Sequence, residues 1–575
     1  MPPIILKDAF KAVTTDQDKT LPPDETVRRF KERTRELGLH ILKTTKRIDT
    51  GRLGIPVYFS VCGPDAAAVT RTTKQMGKGA TPHQAEASAV MELAERFSFF
   101  SFADTPENFF TDTYARVKSG AMPFSLIAQS VHDRSGDLAV AQTLFETLPL
   151  KGARGFNLTR GEDVLIPFDW FFMINEFNGP SAGNCAEEAI VQGLCEVVER
   201  HVSSLISREK IRVPGIDPAS VSDPVVIDML KKYQTAGVRV FLSDFTLDMG
   251  IPTVGVLAYD PATFPDKSEI VWTAGTAPDP QKALSRALTE TAQLAGDFET
   301  GANYVASGLP KFKDLRQADF ITAPGPMVSI TGLPDLSDLN IKVEIERCVS
   351  ALAKKGMEVF LIETTHPKLG VPAYYTIIPG AHFRERAAGT SVAMFCAKLA
   401  AETLPPDQAI SRLKEMDRLL PGKYFLQFYL GYCLLSSDKP EDALHYFEKA
   451  LSLGPADQDR SSICSYMGVA LKELGRFDHA LEVLEQGAAL DDERTDIYNL
   501  MGFCRFKRGE HEKAIACFEK VIGLNPGSAV DYANIGVNYR ALGDTEKAIQ
   551  YYMMALQIDP SIAFAKEHLE ELRRA

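Results

Sequence analysis

The stretch SAVMELAERFS, residues 88–98, recurs in altered form as GLCEVVERH, residues 193–201. Each copy places two glutamates and an arginine at positions i, i+3 and i+4, which fall on one face of an α-helix. The first copy supplies Glu92, Glu95 and Arg96, and the second supplies Glu196, Glu199 and Arg200. The residues between them are almost all apolar, so an ordinary solvent-exposed helix face does not explain the pattern. The repetition predicts two helices whose carboxylates point into a semi-enclosed space.

A divalent cation could compensate these carboxylates, which would be costly if they were buried without partners. Mg²⁺ typically takes one or two carboxylates together with the phosphates of a nucleotide. Four glutamates on two helices could therefore hold two ions against a triphosphate, which predicts phosphoryl chemistry. One copy alone would be explained by intrahelical Glu–Arg contacts worth roughly 0.2–0.5 kcal/mol. The presence of two copies on apolar helices favours the metal site.

Further segments fit an anionic ligand. Lys78 stands between two glycines just before the first acidic helix, where backbone N–H groups and an ammonium can approach an anion. Other candidates stand in two segments: Asn184 and Glu188 in NGPSAGNCAEEA (178–189), and Arg286 and Glu290 in SRALTETAQ (285–293). The sequence contains no Walker A motif and no protein-kinase HRD or DFG signature. A nucleotide site in this chain must therefore be of another kind.

Three segments of the first four hundred residues share one design. Each has a β-branched run, a polar turn, and then Gly-Ile-Pro or Gly-Val-Pro opening a second apolar run; the segments are 39–61, 238–259 and 357–378. Such runs bounded by turn residues predict paired strands. Helical patterns lie between them, at 82–101, 186–207, 281–297 and 342–355. We expect an α+β body built from repeated strand-pair and helix units.

The last third of the chain repeats itself every 34 residues. Glycines recur at 468, 502 and 536, alanines at 480, 514 and 548, and prolines at 526 and 560. An earlier copy is offset by 37 residues, and Ala409 indicates that the array opens with a lone second helix. The pattern resembles the tetratricopeptide repeat, which stacks helix pairs into an all-α solenoid with a concave surface for peptides or helices. We therefore expect two domains, residues 1–404 and 405–575.

Residues 19 to about 400 resemble the YcaO superfamily, whose hallmark is a glutamate-lined ATP site. The resemblance rests on four ordered segments: GKGATPHQAEASAVMELAERFS (77–98), NGPSAGNCAEEAIVQGLCEVVER (178–200), ALSRALTETAQ (283–293) and VPAYYTIIPGA (371–381). It implies that six glutamates lie near Mg²⁺ and phosphates: Glu92, Glu95, Glu188, Glu196, Glu199 and Glu290. It also implies a set of ATP contacts: Lys19, Thr26, Lys78, Ser88, Arg96, Asn184, Arg200 and Arg286. Within that set, Arg200 and Arg286 would neutralise phosphate charge, and Lys19 and Thr26 keep the seven-residue spacing of a pair near the N-terminus.

The resemblance implies ATP- and Mg²⁺-dependent phosphorylation of a backbone amide oxygen in a peptide or protein. An adjacent Cys, Ser or Thr would then close an azoline ring, or an external sulfur source would yield a thioamide. The helical repeats, ending EELRRA, stand where many azoline-forming members have a proline-rich tail. A repeat-bearing relative is implicated as an accessory factor in methylthiolation of a ribosomal protein, so that role stays open. A contrasting hypothesis is a catalytically inactive scaffold in which only the repeats function.

Composition limits the remaining classes. The chain has 575 residues, 45% of them hydrophobic, and a net charge of −13, which disfavours direct nucleic-acid binding. The start MPPIILKDAF has too few adjacent apolar residues for the core of a signal peptide, and no later run approaches ~18 apolar residues. We therefore expect a cytoplasmic protein without a membrane partner. Nine cysteines without a Cys-x-x-Cys pair predict reduced, mostly buried thiols. The repeats are expected to bind a protein partner or a second subunit, as in a homodimer.

Overall fold

The computed structural model describes residues 4–12, 18–70, 72–265, 267–298, 312, 314–383 and 390–574. The chain divides into two compact units. The first comprises Met1–Arg134 and Pro149–Ser391, and the second comprises Ser135–Leu148 and Val392–Ala575. The division into two domains, residues 1–404 and 405–575, stays a prediction.

The strands of the described residues all lie in the first unit. In chain order they are β1 (Leu42–Arg47), β2 (Val57–Cys62), β3 (Lys74–Lys78), β4 (Phe109–Thr113), β5 (Pro149–Asn157), β6 (Glu162–Pro167), β7 (Pro180–Ala182), β8 (Gly215–Ile216), β9 (Arg239–Asp244), β10 (Thr253–Tyr259), β11 (Val271–Thr276), β12 (Met327–Val328), β13 (Phe360–Glu363) and β14 (Ala373–Ile377).

The α-helices continue through both units. In chain order they are α1 (Pro23–Glu36), α2 (Pro64–Thr70), α3 (Pro82–Asp104), α4 (Tyr114–Val117), α5 (Phe124–Ser130), α6 (Leu138–Thr147), α7 (Phe168–Asn175), α8 (Ala186–Glu209), α9 (Pro224–Thr235), α10 (Pro280–Ala295), α11 (Asp319–Thr322), α12 (Ile341–Ala353), α13 (Val392–Thr403), α14 (Pro406–Leu419), α15 (Tyr424–Ser436), α16 (Pro440–Ser452), α17 (Asp457–Glu473), α18 (Phe477–Leu490), α19 (Thr495–Lys507), α20 (His511–Leu524), α21 (Ala529–Ala541), α22 (Thr545–Ile558) and α23 (Ala563–Arg574).

The strands form three sheets in the orders β1-β2-β3, β11-β10-β9-β8-β12 and β4-β5-β13-β14-β7, with β6 on β5. The three predicted strand pairs are confirmed as antiparallel neighbours: β1 with β2, β9 with β10, and β13 with β14. The helices predicted between them are confirmed as α3, α8, α10 and α12. The α+β expectation for the first unit therefore holds.

Each acidic helix packs against a strand that comes shortly before it in sequence. Helix α3 packs on β3, α8 on β7 and α10 on β11. Two of the contacts need glycine on the strand: a Cβ at Gly77 would lie 2.0 Å from the amide nitrogen of Ala89, and one at Gly275 would lie 2.2 Å from the carbonyl oxygen of Ala283. These close approaches fix the height of α3 and α10 above their sheets.

The second unit is a stack of helix pairs, as the 34-residue period predicts. Each repeating glycine faces a bulky residue of the following helix; a Cβ at Gly502 would lie 2.7 Å from the Phe518 ring. The prediction of a lone opening helix is wrong, because α13 packs on both α14 and α15. Ala397 stands in α13 where the later copies carry the repeating glycine, so this marker of the repeat is absent from the first helix. Helix α6, inserted from an earlier part of the chain, packs on α13.

All nine cysteines are free thiols, and only Cys185 is not fully buried, as the sequence predicts. No helix among the described residues combines the length and the apolar character that a membrane span requires.

Candidate functional site

Three helices carry a glutamate at the same place. Glu92, Glu196 and Glu290 each stand ten residues after the first residue of α3, α8 and α10. In α3 and α8 a second glutamate follows three residues later, as Glu95 and Glu199. The three helices thus present equivalent acidic positions nearly three turns beyond their first residues.

Local sequence sets where these helices begin. Thr81 and Gln84 form a capping box at the start of α3, each side chain bonding the other's backbone N–H. Asp279 caps α10 by accepting hydrogen bonds from the N–H groups of Gln281 and Lys282. These caps fix the helical register, and with it the direction in which the glutamates point.

The acidic faces of α3 and α8 meet around one arginine. Arg96 lies 3.4 Å from Glu95 and 3.9 Å from Glu92, measured between side-chain nitrogen and oxygen. Burial raises the pKa of Glu95 well above its usual value, and the negative charges of Glu92 and Glu196 raise it further, against the opposing effect of Arg96. Burial also raises the pKa of Glu196. The carboxylates of two helices are therefore crowded together, as the sequence pattern predicts.

Lys78 joins the third helix to this group. Its ammonium forms an ion pair with Glu290 of α10. Burial lowers the pKa of Lys78 to about 8; Glu199 and Glu92 oppose this effect, and the cations Arg286 and Arg200 add to it. Lys78, at the end of β3, therefore interacts electrostatically with charged side chains of α3, α8 and α10. The acidic faces of all three helices come together around Lys78, and we call this group of side chains the acidic recess.

Backbone amides also point at the glutamates of α8. The N–H of Gly179 donates to Glu196 at 3.3 Å, and the N–H of Thr276, the last residue of β11, donates to Glu199 at 3.2 Å. Arg200 lies 3.9 Å from Glu196. Arg286 donates from Nη1 to the side-chain oxygen of Gln192 at 2.7 Å.

Two arginines of the acidic recess have a side-chain donor without a hydrogen-bond partner among the described residues. Nη1 of Arg96 and Nε of Arg286 are buried and make no hydrogen bond to the residues that the structure describes. A guanidinium carries five N–H donors and is suited to phosphate oxygens. The recess therefore offers unsatisfied cationic donors beside crowded carboxylates, which is the donor set that a metal-bound phosphate needs.

A second group of predicted residues lies at the first turn of α8. The buried Glu188 carboxylate accepts from the N–H and hydroxyl of Thr20 at 2.5 and 2.6 Å, and from the N–H and side-chain amide of Asn184 at 2.9 Å each. The Thr26 hydroxyl donates to the side-chain oxygen of Asn184 at 3.0 Å. Glu188 therefore fastens the N-terminal segment to α8 in this structure.

Lys19 belongs to the same segment and lies 3.9 Å from Asp18. Burial would raise the pKa of Asp18, but Lys19, Arg286, Lys11 and Lys282 together lower it. The segment therefore comes within electrostatic reach of Arg286 in the acidic recess. Ser88 is half-buried on α3, one turn before Glu92.

The predicted ligands do not form a closed metal cage. Within the described ranges, no group of three histidine, cysteine, aspartate or glutamate side chains is close enough together to hold a metal ion. Mg²⁺ commonly takes only one or two carboxylates and completes its shell with phosphate and water oxygens. The assignment of six glutamates as ligands stays a prediction.

Sequence reasoning missed several residues of the site. Gln192 continues the i, i+4 row between Glu188 and Glu196 on α8, and that spacing could have identified it. Thr20 and Thr276 offered no such pattern, because their roles depend on contacts between distant segments.

Comparison with known proteins accounts for this arrangement. Residues 76–382 match the family model of the YcaO cyclodehydratase, described as ATP- and Mg²⁺-binding, and residues 493–561 match a tetratricopeptide-repeat model. An uncharacterized protein of Methanothermobacter thermautotrophicus is 30% identical over 379 residues, which cover 62% of this chain and 93% of that protein. The ribosomal protein S12 methylthiotransferase accessory factor YcaO of Escherichia coli is 27% identical over 396 residues, which cover 62% of this chain and 64% of that protein.

A heterocyclase solved in complex with substrate and cofactor has a similar fold, with a TM-score of 0.53 at 21% identity. The match covers 66% of this chain and 54% of the heterocyclase, so this chain spans just over half the length of that enzyme. The YcaO model alone spans more than half of the chain, and the archaeal relative is matched over nearly its whole length. ATP and Mg²⁺ are the cofactors of the family so identified, and this chain belongs to the YcaO family, with tetratricopeptide repeats following the YcaO region.

Proposed function

We propose that this protein uses Mg²⁺ and ATP to phosphorylate a backbone amide oxygen in a peptide or protein substrate, leading to an azoline or a thioamide. The observation that carries the proposal is the convergence of α3, α8 and α10 on Lys78. Carboxylates that would hold a metal and cations that would bind phosphate stand together in the acidic recess, as phosphoryl transfer requires.

The residues of the recess fit Mg-ATP. Crowding and burial disfavour the ionised forms of Glu95 and Glu196, and a divalent cation beside them would relieve that cost. The buried donors of Arg96 and Arg286, which have no partner in the part of the chain that the structure describes, are suited to phosphate oxygens. Mg²⁺ bound there would disperse the charge of the triphosphate.

The chain's own groups then have distinct tasks. Glu92, Glu95, Glu196, Glu199 and Glu290 would hold the metal, and Glu188 would join them or order the N-terminal segment that carries Lys19 and Thr26. The cationic side chains of the recess would orient the γ-phosphate for attack by the substrate's carbonyl oxygen. A phosphorylated amide oxygen leaves as phosphate, so a neighbouring thiol or hydroxyl, or external sulfide, can replace it. Amide oxygen itself is a poor leaving group, which explains the need for ATP.

The E. coli relative supports a second candidate. Its name associates it with the methylthiolation of ribosomal protein S12. We include ribosomal protein S12 among the candidate substrates or partners, with this chain acting as an accessory factor.

We assign catalysis to residues 1–404 and binding of a protein substrate, a partner or a second copy of the chain to residues 405–575. The helices of the repeat unit offer a half-exposed aromatic ring for such contacts: the ammonium groups of Lys472 and Lys507 each lie 5.4 Å from the centre of the Phe503 ring. Light scattering of the purified protein at several concentrations separates a homodimer from a monomer that binds other proteins.

Calorimetry of Mg-ATP binding tests the site. The proposal expects saturable binding that vanishes without Mg²⁺ and is lost in Glu199→Gln, with tryptophan fluorescence of the folded protein unchanged. Glu473→Gln is a matched control, since Glu473 is exposed on α17 in the other unit. Full binding by Glu199→Gln, or none by the wild type, would favour the inactive scaffold.

Mass spectrometry tests the reaction. The protein is co-expressed with candidate peptides and with ribosomal protein S12, and the products are examined for loss of water or replacement of oxygen by sulfur. Neither change in any substrate, despite ATP turnover, would count against ring and thioamide formation.

A further inference from the structure

Arg286 is held in the recess by one uncharged side chain. Its Nη1 donates to the side-chain oxygen of Gln192 at 2.7 Å, across the gap between α10 and α8. The two residues occupy equivalent places, six residues after the first residue of their helices. Nε of Arg286 is buried without a hydrogen-bond partner among the described residues. The guanidinium is therefore fixed at one corner while other donors remain available to a ligand.

It matters that the side chain at residue 192 is an amide and not a carboxylate. A carboxylate at residue 192 would also accept from Arg286, but it would neutralise the guanidinium and add a negative charge between Glu188 and Glu196, one turn to either side on α8. Such a charge would repel a triphosphate. An amide oxygen orients the arginine and leaves its full positive charge for phosphate.

We propose that Gln192 is a positioning residue that orients the Arg286 guanidinium toward the phosphates of ATP. The inference rests on the proposed function, because it assumes that phosphate enters the acidic recess. Arginine side chains lose rotamer entropy when they are ordered, so an unanchored Arg286 would lose part of its contribution to binding when phosphate must order it.

The test is a double-mutant cycle on Mg-ATP affinity measured by calorimetry with the full chain. Gln192→Met keeps the length of the side chain but removes the amide, and we expect it to weaken binding about tenfold. Arg286→Ala should weaken binding at least as much. In the Arg286→Ala background, Gln192→Met should have no further effect, because its action passes through the arginine. Gln192→Glu should retain the hydrogen bond and still bind Mg-ATP more weakly than the wild type.

Gln550→Leu on α22 is the matched control, since Gln550 is exposed in the other unit and should leave affinity unchanged. Tryptophan fluorescence verifies that each variant is folded. Wild-type affinity in Gln192→Met, or additive losses in the double variant, would overturn the inference while leaving the proposed function intact. Absence of Mg-ATP binding by the wild type would instead overturn the proposed function. If Gln192→Met does not fold, Gln192→Glu alone decides: an affinity equal to that of the wild type overturns the inference.

Discussion

The close contact between β3 and α3 at Gly77 makes a sharp prediction for Gly77→Ala. The new Cβ would lie 2.0 Å from the amide nitrogen of Ala89 and 2.4 Å from the carbonyl oxygen of Ala85. Because both obstacles are helix backbone, no rotamer change can relieve them, and α3 must move away by roughly 1 Å or more. We expect a destabilisation of about 3 kcal/mol, the upper end of the usual cost of overpacking. The same movement displaces Glu92 and Glu95, so Mg-ATP affinity should fall roughly tenfold or more.

The two tryptophans make the assay selective. Trp170 and Trp272 are the only tryptophans in the sequence, and both are buried in the first unit. Urea unfolding followed by their fluorescence therefore reports on the unit that contains β3 and α3. With a denaturant dependence of ~1–3 kcal/mol per molar urea, the expected loss lowers the midpoint by about 1 M or more.

Two further glycines serve as comparison and control. Gly275→Ala should behave like Gly77→Ala, since its Cβ would lie 2.2 Å from the carbonyl oxygen of Ala283 in α10. Gly523→Ala places a methyl group where no atom lies within 4 Å, on α20 of the second unit, and should leave the tryptophan transition in place. A Gly77→Ala protein with the midpoint and Mg-ATP affinity of the wild type would refute the packing argument.

Other substitutions test separate parts of the structure. Thr20→Val removes a 2.6 Å hydroxyl donor to Glu188, worth about 1.5–3 kcal/mol, so hydrogen exchange at the residue 20 amide should accelerate at least about tenfold; an unchanged rate would contradict the contact. Burial holds the pKa of His382 near 3, below its usual 6.5, and burial also lowers the pKa of His132, whose ring is stacked on His382 at 3.5 Å. The stabilisation that comes from keeping these histidines neutral is therefore complete above pH 6.5 and is lost as the pH falls below 6.5. The urea midpoints at pH 7.5 and pH 5.5 should differ less in His132→Asn than in the wild type, and asparagine tolerates the positive φ of 51° at this position. An equal drop of the midpoint in both proteins would exclude this role of the stacked pair. Phe145→Ala removes a fully buried ring from α6 and should lower the free energy of unfolding of the second unit by about 3–5 kcal/mol. During urea unfolding, the helical signal in circular dichroism should then decrease at a lower urea concentration than the tryptophan fluorescence changes. If the fluorescence changed first, α6 would belong to the first unit.

The sequence predicted those parts of the site that depend on local spacing. Glu92, Glu95 and Arg96 share a helix face because residues three and four apart always do, and the apolar neighbours showed that this face is enclosed. The repetition around Glu196 then implied that the two faces meet. The strand pairs were predictable for a similar reason, because each pair is a local hairpin-like unit whose turn residues lie between two apolar runs in the sequence.

Contacts between distant segments were not predictable in the same way. The four hydrogen bonds on Glu188 join residues 168 positions apart as well as near neighbours, and no periodicity links Thr20 to α8. Helix α13 was missed because Ala397 stands in place of the repeating glycine by which the later copies are recognised. Helix α6, which packs on α13, comes from far earlier in the chain.

Equal spacing also explains how three separate helices present one site. A strand residue stands fifteen positions before the first glutamate in each case: Gly77 before Glu92, Ser181 before Glu196, and Gly275 before Glu290. In α3 and α10 the glycine lies on the strand and the helix contributes alanines. In α8 the arrangement is reversed, because Ser181 is on the strand and Gly193 is on the helix, where a Cβ would lie 2.6 Å from the serine oxygen. Either arrangement removes one side chain from the contact, so each helix rests close to its strand and its glutamate reaches a similar height.

The third helix departs from this pattern where its chemistry differs. At the positions of Glu95 and Glu199, α10 carries Gln293, so it brings one carboxylate rather than two. Where α8 carries Gln192, α10 carries Arg286, and the hydrogen bond between them joins the two equivalent positions. One side of the recess is therefore rich in carboxylate, and the other pairs a carboxylate with an oriented cation. A symmetric ring of three acidic helices would repel a triphosphate, and the asymmetry agrees with our proposal that metal is bound on the carboxylate-rich side and phosphate beside the oriented cation.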